Sequence, residues 1–406
     1  MNKKNILVLP GTLWQVQLVK TIKEMGHKAY VVHPSPDSPC LPYADGFLEE
    51  DIFHNDEIIK YGRQHCIDAV MSDECDIAMP LIASYSNQLG AISIDSSSAY
   101  LYTNKYAMRE FCKLHGLKTP EYRLCKTIED TVSFLKEMKK PIILKPLDSN
   151  ASHGIHKVST EKEIYEKFLE TISFSRGEKA ILAERFIEGT EFTVDGIKTC
   201  SSHYTLAISQ KKHYKHNINI ANELYFSHFN RCFDYKKLKS INDDFVLKSN
   251  LPYGLTHAEY KYENGDFYLI EIAARGGGNM ISSVITQFMS GYNTYHYLID
   301  CYTTGAYEKD FSIPSSHTNR VAILKFFETP SNGGIVESIK GIDYLQNTKS
   351  IVFFKLNFKI GDLIVNAPND SARIGFYIAC AESEEQLKKT VETVNKEFKI
   401  TTSKSF

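Results

Sequence analysis

The segment His257 to Gly278 carries His257-x-Glu259, then Glu271-x-x-x-Arg275 and three glycines, Gly276 to Gly278. Two carboxylates brought close together repel unless a cation lies between them. Carboxylate oxygens suit Mg²⁺, which takes one or two of them and leaves its other positions to water and phosphate. An arginine beside such a site stabilises developing negative charge. The residues therefore point to phosphate chemistry at a pair of glutamates, with surface charges on an ordinary half-exposed hairpin as the bland alternative.

The element that must position them is a hairpin. Asn264-Gly265 between two apolar-alternating runs is a strong hairpin signal. A two-residue turn there sets Glu259 and Glu271 on opposite faces, because strand side chains alternate. A three-residue loop of Glu263, Asn264 and Gly265 brings them to one face. His257 then faces Glu271, and Glu259 lies diagonally, roughly 7–8 Å away at the backbone. The three-residue loop is the expected form.

Composition narrows the class. The 406 residues suit two or three domains, and 43% hydrophobic content is ample for their cores. A formal charge of −2 gives no bias toward nucleic acid or membrane. The pairs Lys211-Lys212 and Lys236-Lys237 read as solvated faces or phosphate-side loops. Nine cysteines without C-x-x-C spacing imply a reduced, cytoplasmic protein without a disulfide frame or structural zinc. No apolar run approaches the ~18 residues of a membrane span. Lys3-Lys4 before Ile6–Leu9 faintly resembles a signal peptide, but Pro10-Gly11 interrupts it, so a first strand is expected.

Residues 5–9, an amphipathic helix over 13–25 and a strand over 29–32 form a β-α-β unit. It lacks G-x-G-x-x-G, so a dinucleotide site is not expected. Strand 67–71, Asp73 as cap of a helix over 77–89, and strand 91–94 complete a domain over 1–100. Lys105 follows on a helix ended by Gly116. A helix over 129–139 leads into strand 141–146, which ends in Lys145-Pro146. The small polar loop 148–154 comes next, then a strand over 155–158 and a helix over 161–174. A lysine entering such a loop can hold phosphates with its ammonium and the loop N–H groups. Strand 180–183 runs into Glu184–Asp195, broken by Gly189. His213 and His216 fall in a Lys/His/Asn-rich stretch that reads as a polar loop rather than a metal site. Helices are expected over 234–249, 280–287 and 292–301. Beyond residue 313 come strands, turns at Gly333-Gly-Ile335 and Gly361-Asp362, and a helix over 383–398.

Two segments, Glu184-x-Phe-Ile-x-Gly-x-Glu191-Phe-Thr-Val-Asp195 and His257-x-Glu259…Glu271-Ile-x-x-Arg275, follow Lys105 and Lys145 in that order. In this the whole chain resembles the ATP-grasp superfamily, and within it carboxylate–amine ligases related to L-amino-acid ligases. The resemblance implies a mixed α/β and α+β fold: a doubly wound N-terminal domain over 1–100, a two-lobed ATP-grasp domain over 101–312 with its lid lobe at about 118–190, and an α+β subdomain over 313–406. It implies that Lys105 and Lys145 contact ATP phosphates. The 148–154 loop, with Ser149, Ser152, His153 and Gly154, covers them as a lid that is mobile without nucleotide. Glu184, Arg185, Phe186 and Ile187 meet the adenine edge, Arg185 and Ile187 through their backbone, and Glu191 binds the ribose. Glu259 and Glu271 hold two Mg²⁺ ions, with Mn²⁺ the alternative, and Arg275 stabilises the transferred phosphoryl group.

Two departures stand out. Most such enzymes place Asn two residues after the second metal glutamate, where this chain has Ala273. Water or Asn279 then fills that metal position, or the second ion is held more weakly. The lid carries His153 and a single Gly154 where many relatives have several glycines.

The implied reaction is ATP-dependent joining of a small carboxylate and an amine through an acyl phosphate. His257 either orients Glu271 or acts as base, the former being favoured. A carbamate- or purine-type enzyme of the same fold, and a nucleotide-binding protein without turnover, remain open beside it. Arg320 and Lys325 are candidates for a substrate carboxylate and equally for structural roles. No nucleic acid or membrane partner is expected, and a homodimer is expected from the resemblance alone.

Overall fold

The computed structural model describes residues 3–149, 153–330 and 333–403. The first domain is a parallel sheet of β1 (Asn5–Val8), β2 (Lys28–His33), β3 (Gly46–Glu49) and β4 (Ala69–Met71), ordered β3-β2-β1-β4. Ile6, Leu7 and Val8 are all fully buried, as both covered faces of a parallel strand require. The expected strand over 91–94 is only an isolated bridge between Ala69 and Ile92.

The lid lobe is an antiparallel sheet of β5 (Tyr122–Cys125), β6 (Ile142–Pro146), β7 (His156–Val158) and β8 (Ile181–Arg185), ordered β5-β8-β6-β7. Helices Ile128–Met138 and Glu161–Ser173 cover it. Both start in capping boxes, Thr127 with Asp130 and Thr160 with Glu163, which satisfy the first free N–H groups.

Eleven strands follow among the described residues. They are β9 (Thr190–Lys198), β10 (His203–His213), β11 (Ala221–Ser227), β12 (Gly254–Glu263), β13 (Asp266–Ala273) and β14 (Val321–Phe326). Then come β15 (Gly333–Lys340), β16 (Ile351–Leu356), β17 (Leu363–Val365), β18 (Gly375–Ala381) and β19 (Lys399–Ser403). Eight make one antiparallel sheet, β13-β12-β9-β10-β11-β14-β18-β16. The strands after residue 320 therefore extend the central sheet, and only β17-β15-β19 form a separate small one. Gly333 and Gly334, expected in a turn, begin β15, where a Cβ at either would meet the backbone of Ile364 or Ser403.

Asp73 does not cap the helix Ala78–Leu89, which starts at Ile77 without a side-chain cap. Its carboxylate instead accepts from the Gly276 N–H at 2.6 Å and from the Tyr295 hydroxyl at 2.7 Å. The expected helix over 280–287 opens as a π-helix, Ile281–Thr286, an uncommon form concentrated at functional sites.

Candidate active site

The hairpin turn has two residues, not three. Asn264 (φ 52°) and Gly265 (φ 90°) both occupy the left-handed region that a type I′ turn demands. Glu263 pairs with Asp266, and that register holds through Tyr260 and Leu269. A bulge then adds Ile270, so Glu259 pairs directly with Glu271 and His257 with Ala273. One inserted residue reverses which face a strand presents. The two glutamates thus share a face through the bulge, and His257 does not face Glu271 as expected. The Ile270 carbonyl accepts from Arg109 Nη2 at 2.5 Å, which fixes the bulge in place.

Alternation does the rest. The register of β9 against β12 sets Glu191 opposite Lys261, Thr193 opposite Glu259 and Asp195 opposite His257. Phe192, Val194, Ala258 and Tyr260 point the other way, into a core. The polar face lines a cavity of about 680 Å³, within the ~300–1,000 Å³ range of small-molecule sites.

Two lysines hold the paired carboxylates. Lys211 Nζ lies 2.6 Å from Glu259 and 2.6 Å from Glu191. Lys105 Nζ lies 2.9 Å from Glu271 and donates to the Ser149 carbonyl at 2.7 Å. Burial alone would raise the Glu191 carboxyl, but Lys211 and His213 bring it down to about 2. Glu259 is likewise held well below the usual range, against burial, by Lys211 and His257. Burial would lower His257, yet Asp195, 2.8 Å from its Nδ1, raises it to about 9. Its Nε2 stands 3.9 Å from Glu259, so the ring braces that carboxylate.

The other expected residues assemble around this face. Lys145 reaches Glu184 at 2.6 Å, and Arg109 reaches the other Glu184 oxygen at 2.5 Å. Glu184 is thereby committed to positioning Lys145. The Arg185 side chain binds Glu121 and Glu263, and its N–H donates to the Glu121 carbonyl at 2.8 Å. Arg185, Phe186 and Ile187 line the same cavity as Lys105, Lys145, Ser149, Glu184, Glu191, His257, Glu259, Glu271 and Arg275. His153 and Gly154 are not among the lining residues; His153 stacks on Phe174 with centroids 5.9 Å apart. Ser152 and the middle of the expected lid, 150–152, lie outside the described residues. Asn279 does line the cavity, and Ala273 is buried opposite His257. Arg320 binds Glu382 and the Phe288 carbonyl, and Lys325 faces Glu223 at 3.4 Å, so both have structural partners.

Sequence reading missed several residues. Lys211, expected on a solvated face or a phosphate-side loop, is a half-buried strand residue between two glutamates, while Lys212 beside it points out to Glu223. The strand alternation Ser209, Lys211, His213 was the available signal. Asp195 was detectable in the same way from Glu191. Asp76, which forks onto Arg275, had no local signal, its partner being distant in sequence. His213, expected in a polar loop, instead ends β10 and contacts Glu191 at 3.3 Å, while His216, beyond the strand, contacts the Ala367 carbonyl at 3.2 Å.

Glu259 and Glu271 fit a hard cation. Among the described residues no group of three or more His, Cys, Asp or Glu side chains is placed to hold a metal. Two carboxylate donors leave most of an octahedral shell to phosphate and water, which suits Mg²⁺ and not a structural zinc.

The family described as ATP-grasp domain matches residues 138–284, and that described as L-amino acid ligase C-terminal domain 2 matches residues 326–403. Residues 138–284 thus match an ATP-grasp domain, and the chain has the ATP-grasp fold. The L-amino acid ligase of Bacillus licheniformis has the same fold, with a TM-score of 0.83 at 19% identity over 100% of both chains. Dapdiamide A synthase of Enterobacter agglomerans is 24% identical over 45% of this chain and 45% of its own length. Formate-dependent phosphoribosylglycinamide formyltransferase of Chlorobaculum tepidum is 26% identical over 47% of this chain and 50% of its own. The chain thus spans about half the length of the curated relatives it matches. Among the described residues no helix is long and apolar enough to cross a membrane.

Proposed function

We propose that this protein joins a small carboxylate to an amine at the expense of ATP, releasing ADP and phosphate. The observation that carries this reading is the Glu259–Glu271 pair, set side by side by the bulge and neutralised by Lys211 and Lys105. Such a face is built to receive cations and polyphosphate, and phosphoryl transfer needs positioning and charge neutralisation above all. Glu259 and Glu271 would hold Mg²⁺, two ions in this reading, and the metal supplies charge neutralisation of the phosphates when bound.

Lys105 and Lys145 bind phosphate oxygens, with Glu184 and Arg109 holding Lys145 in place. Glu191 meets the ribose, and residues 185–187 meet the adenine. The substrate carboxylate attacks the γ-phosphorus and expels ADP. Arg275, aimed by Asp76, stabilises the charge that develops there. The amine then attacks the acyl carbon and expels phosphate, which leaves with one oxygen of the original carboxylate and accepts the amine's proton. His257, held as imidazolium by Asp195, braces Glu259 and is not the base. The test is Mg-ATP-dependent phosphate release against amino acids offered singly and in pairs. Release should require a pair; release indifferent to both substrates, or none with any pair, contradicts the reading. The cytoplasm and a homodimer are the setting proposed by analogy.

A further inference from the structure

The cavity has a second end. Glu271 stands on β13 and Lys355 on β16, the two edges of the eight-stranded sheet. Laid flat, seven strand spacings would part these edges by roughly 34 Å. Both residues line one cavity, so the sheet coils around it. At the β16 edge, Phe326 pairs with Phe376, and Phe376 with Lys355, giving one cross-strand row on the cavity face. Trp14, from the 3₁₀ turn of the first domain, closes the chamber from above, its ring centroid 6.2 Å from that of Phe376. Lys355 Nζ sits 5.3 Å from the Trp14 centroid.

The chamber's two cations differ. The Arg373 guanidinium lies 3.8 Å from the Phe326 centroid, but it is committed to Asp370 and to the Ala221 carbonyl. Lys355 forms no ion pair among the described residues. A half-buried ammonium over an aromatic ring, with no carboxylate beside it, favours an anionic partner. Resting on the ligase reading above, we propose that this chamber is the subsite of the amine substrate. It takes an amine that carries a carboxylate and a large apolar or aromatic side chain. The carboxylate pairs with Lys355, and the side chain packs on Trp14 and Phe376. The carboxylate that reacts must lie at the other end, by Glu271 and Arg275, so an anion held at Lys355 belongs to the second substrate.

Trp14 is the only tryptophan in the chain, so its fluorescence reports on this chamber alone. The protein loaded with Mg-ADP is titrated with L-phenylalanine, L-phenylalaninamide and L-alanine. L-Phenylalanine should give a saturable change, with the amide and L-alanine each about tenfold weaker or more. Lys355→Met should bind acid and amide alike, Lys355→Arg should restore the preference, and neither should alter Mg-ADP affinity. Equal binding of acid and amide by the unaltered protein, or an unchanged preference in Lys355→Met, overturns the assignment. So does a Trp14 signal that responds to nucleotide alone. Because binding is read without turnover, phosphate release with no such preference would sink the subsite and spare the ligase. Preferential binding without release would do the reverse.

Discussion

Arg275 grips Asp76 with two bonds, Nε at 2.8 Å and Nη2 at 2.5 Å from its two carboxylate oxygens. The pair joins the end of the glutamate hairpin to the first domain. Burial opposes the charge on both partners, and their mutual attraction outweighs it, keeping Asp76 below and Arg275 above their ordinary pKa values. A bidentate pair also fixes the direction of the guanidinium plane. Asp76→Asn should therefore loosen Arg275 without removing it. The expected result is a fall in kcat of about a hundredfold with little change in the KM for ATP. A variant of normal kcat would show that Arg275 needs no such aiming.

Lys211 neutralises Glu191 and Glu259 together. Lys211→Met leaves two half-buried carboxylates without the cation between them, a loss of about 1–3 kcal/mol. A cation binding at Glu259 should recover part of this loss. Mg²⁺ should therefore raise the melting temperature of the variant more than that of the unaltered protein. Equal Mg²⁺ effects on both would separate Glu259 from the metal.

Gly277 passes so close to β9 and β12 that a Cβ there would lie 2.7 Å from Asp195 Oδ1 and 2.8 Å from His257 Nδ1. Gly277→Ala must part that pair and shift the brace on Glu259. Activity should drop about a hundredfold, as displacement near 1 Å does in other sites. Retained activity would mean that the Asp195–His257 bond has slack to spare.

Glu74 gives a pH signature. Burial, and then Asp73 beside it, raise its carboxyl from 4.5 to about 8, although the Met280 N–H and the Ser283 hydroxyl both donate to it. Between those values the folded protein holds a proton that the unfolded chain has released. Stability therefore falls as pH rises through the window, by about 1.4 kcal/mol per pH unit at most. Glu74→Gln lacks this dependence. Urea unfolding from pH 5 to pH 8 should show the variant gaining on the unaltered protein; parallel profiles would refute the assignment.

Much of this was legible locally. The extended run through Glu184–Asp195, broken at Gly189, forms β8 and β9, and Asn104 and Ser383 cap the helices that the sequence suggested. What local pattern could not show is where distant groups meet. The Asn264-Gly265 turn obeys its own chemistry, and the bulge that aligns Glu259 with Glu271 is pinned by Arg109, whose partner carbonyl lies far along the chain. Asp73 resembled a helix cap because aspartate commonly is one. Only the packed fold brings Gly276 and Tyr295 to it. Lys211 and Lys212 are chemically alike, and only the pleat decides that one lies between glutamates on the cavity face and the other points outward.

The most direct measurement of the central claim follows an oxygen atom. With a substrate pair that supports turnover, the carboxylate substrate is labelled with ¹⁸O in both oxygens. An acyl phosphate requires that one labelled oxygen leave with the released phosphate and the other stay in the amide product, so each phosphate should carry one ¹⁸O. Phosphate free of label, with turnover otherwise normal, would show that the carboxylate never attacked phosphorus and would contradict the account.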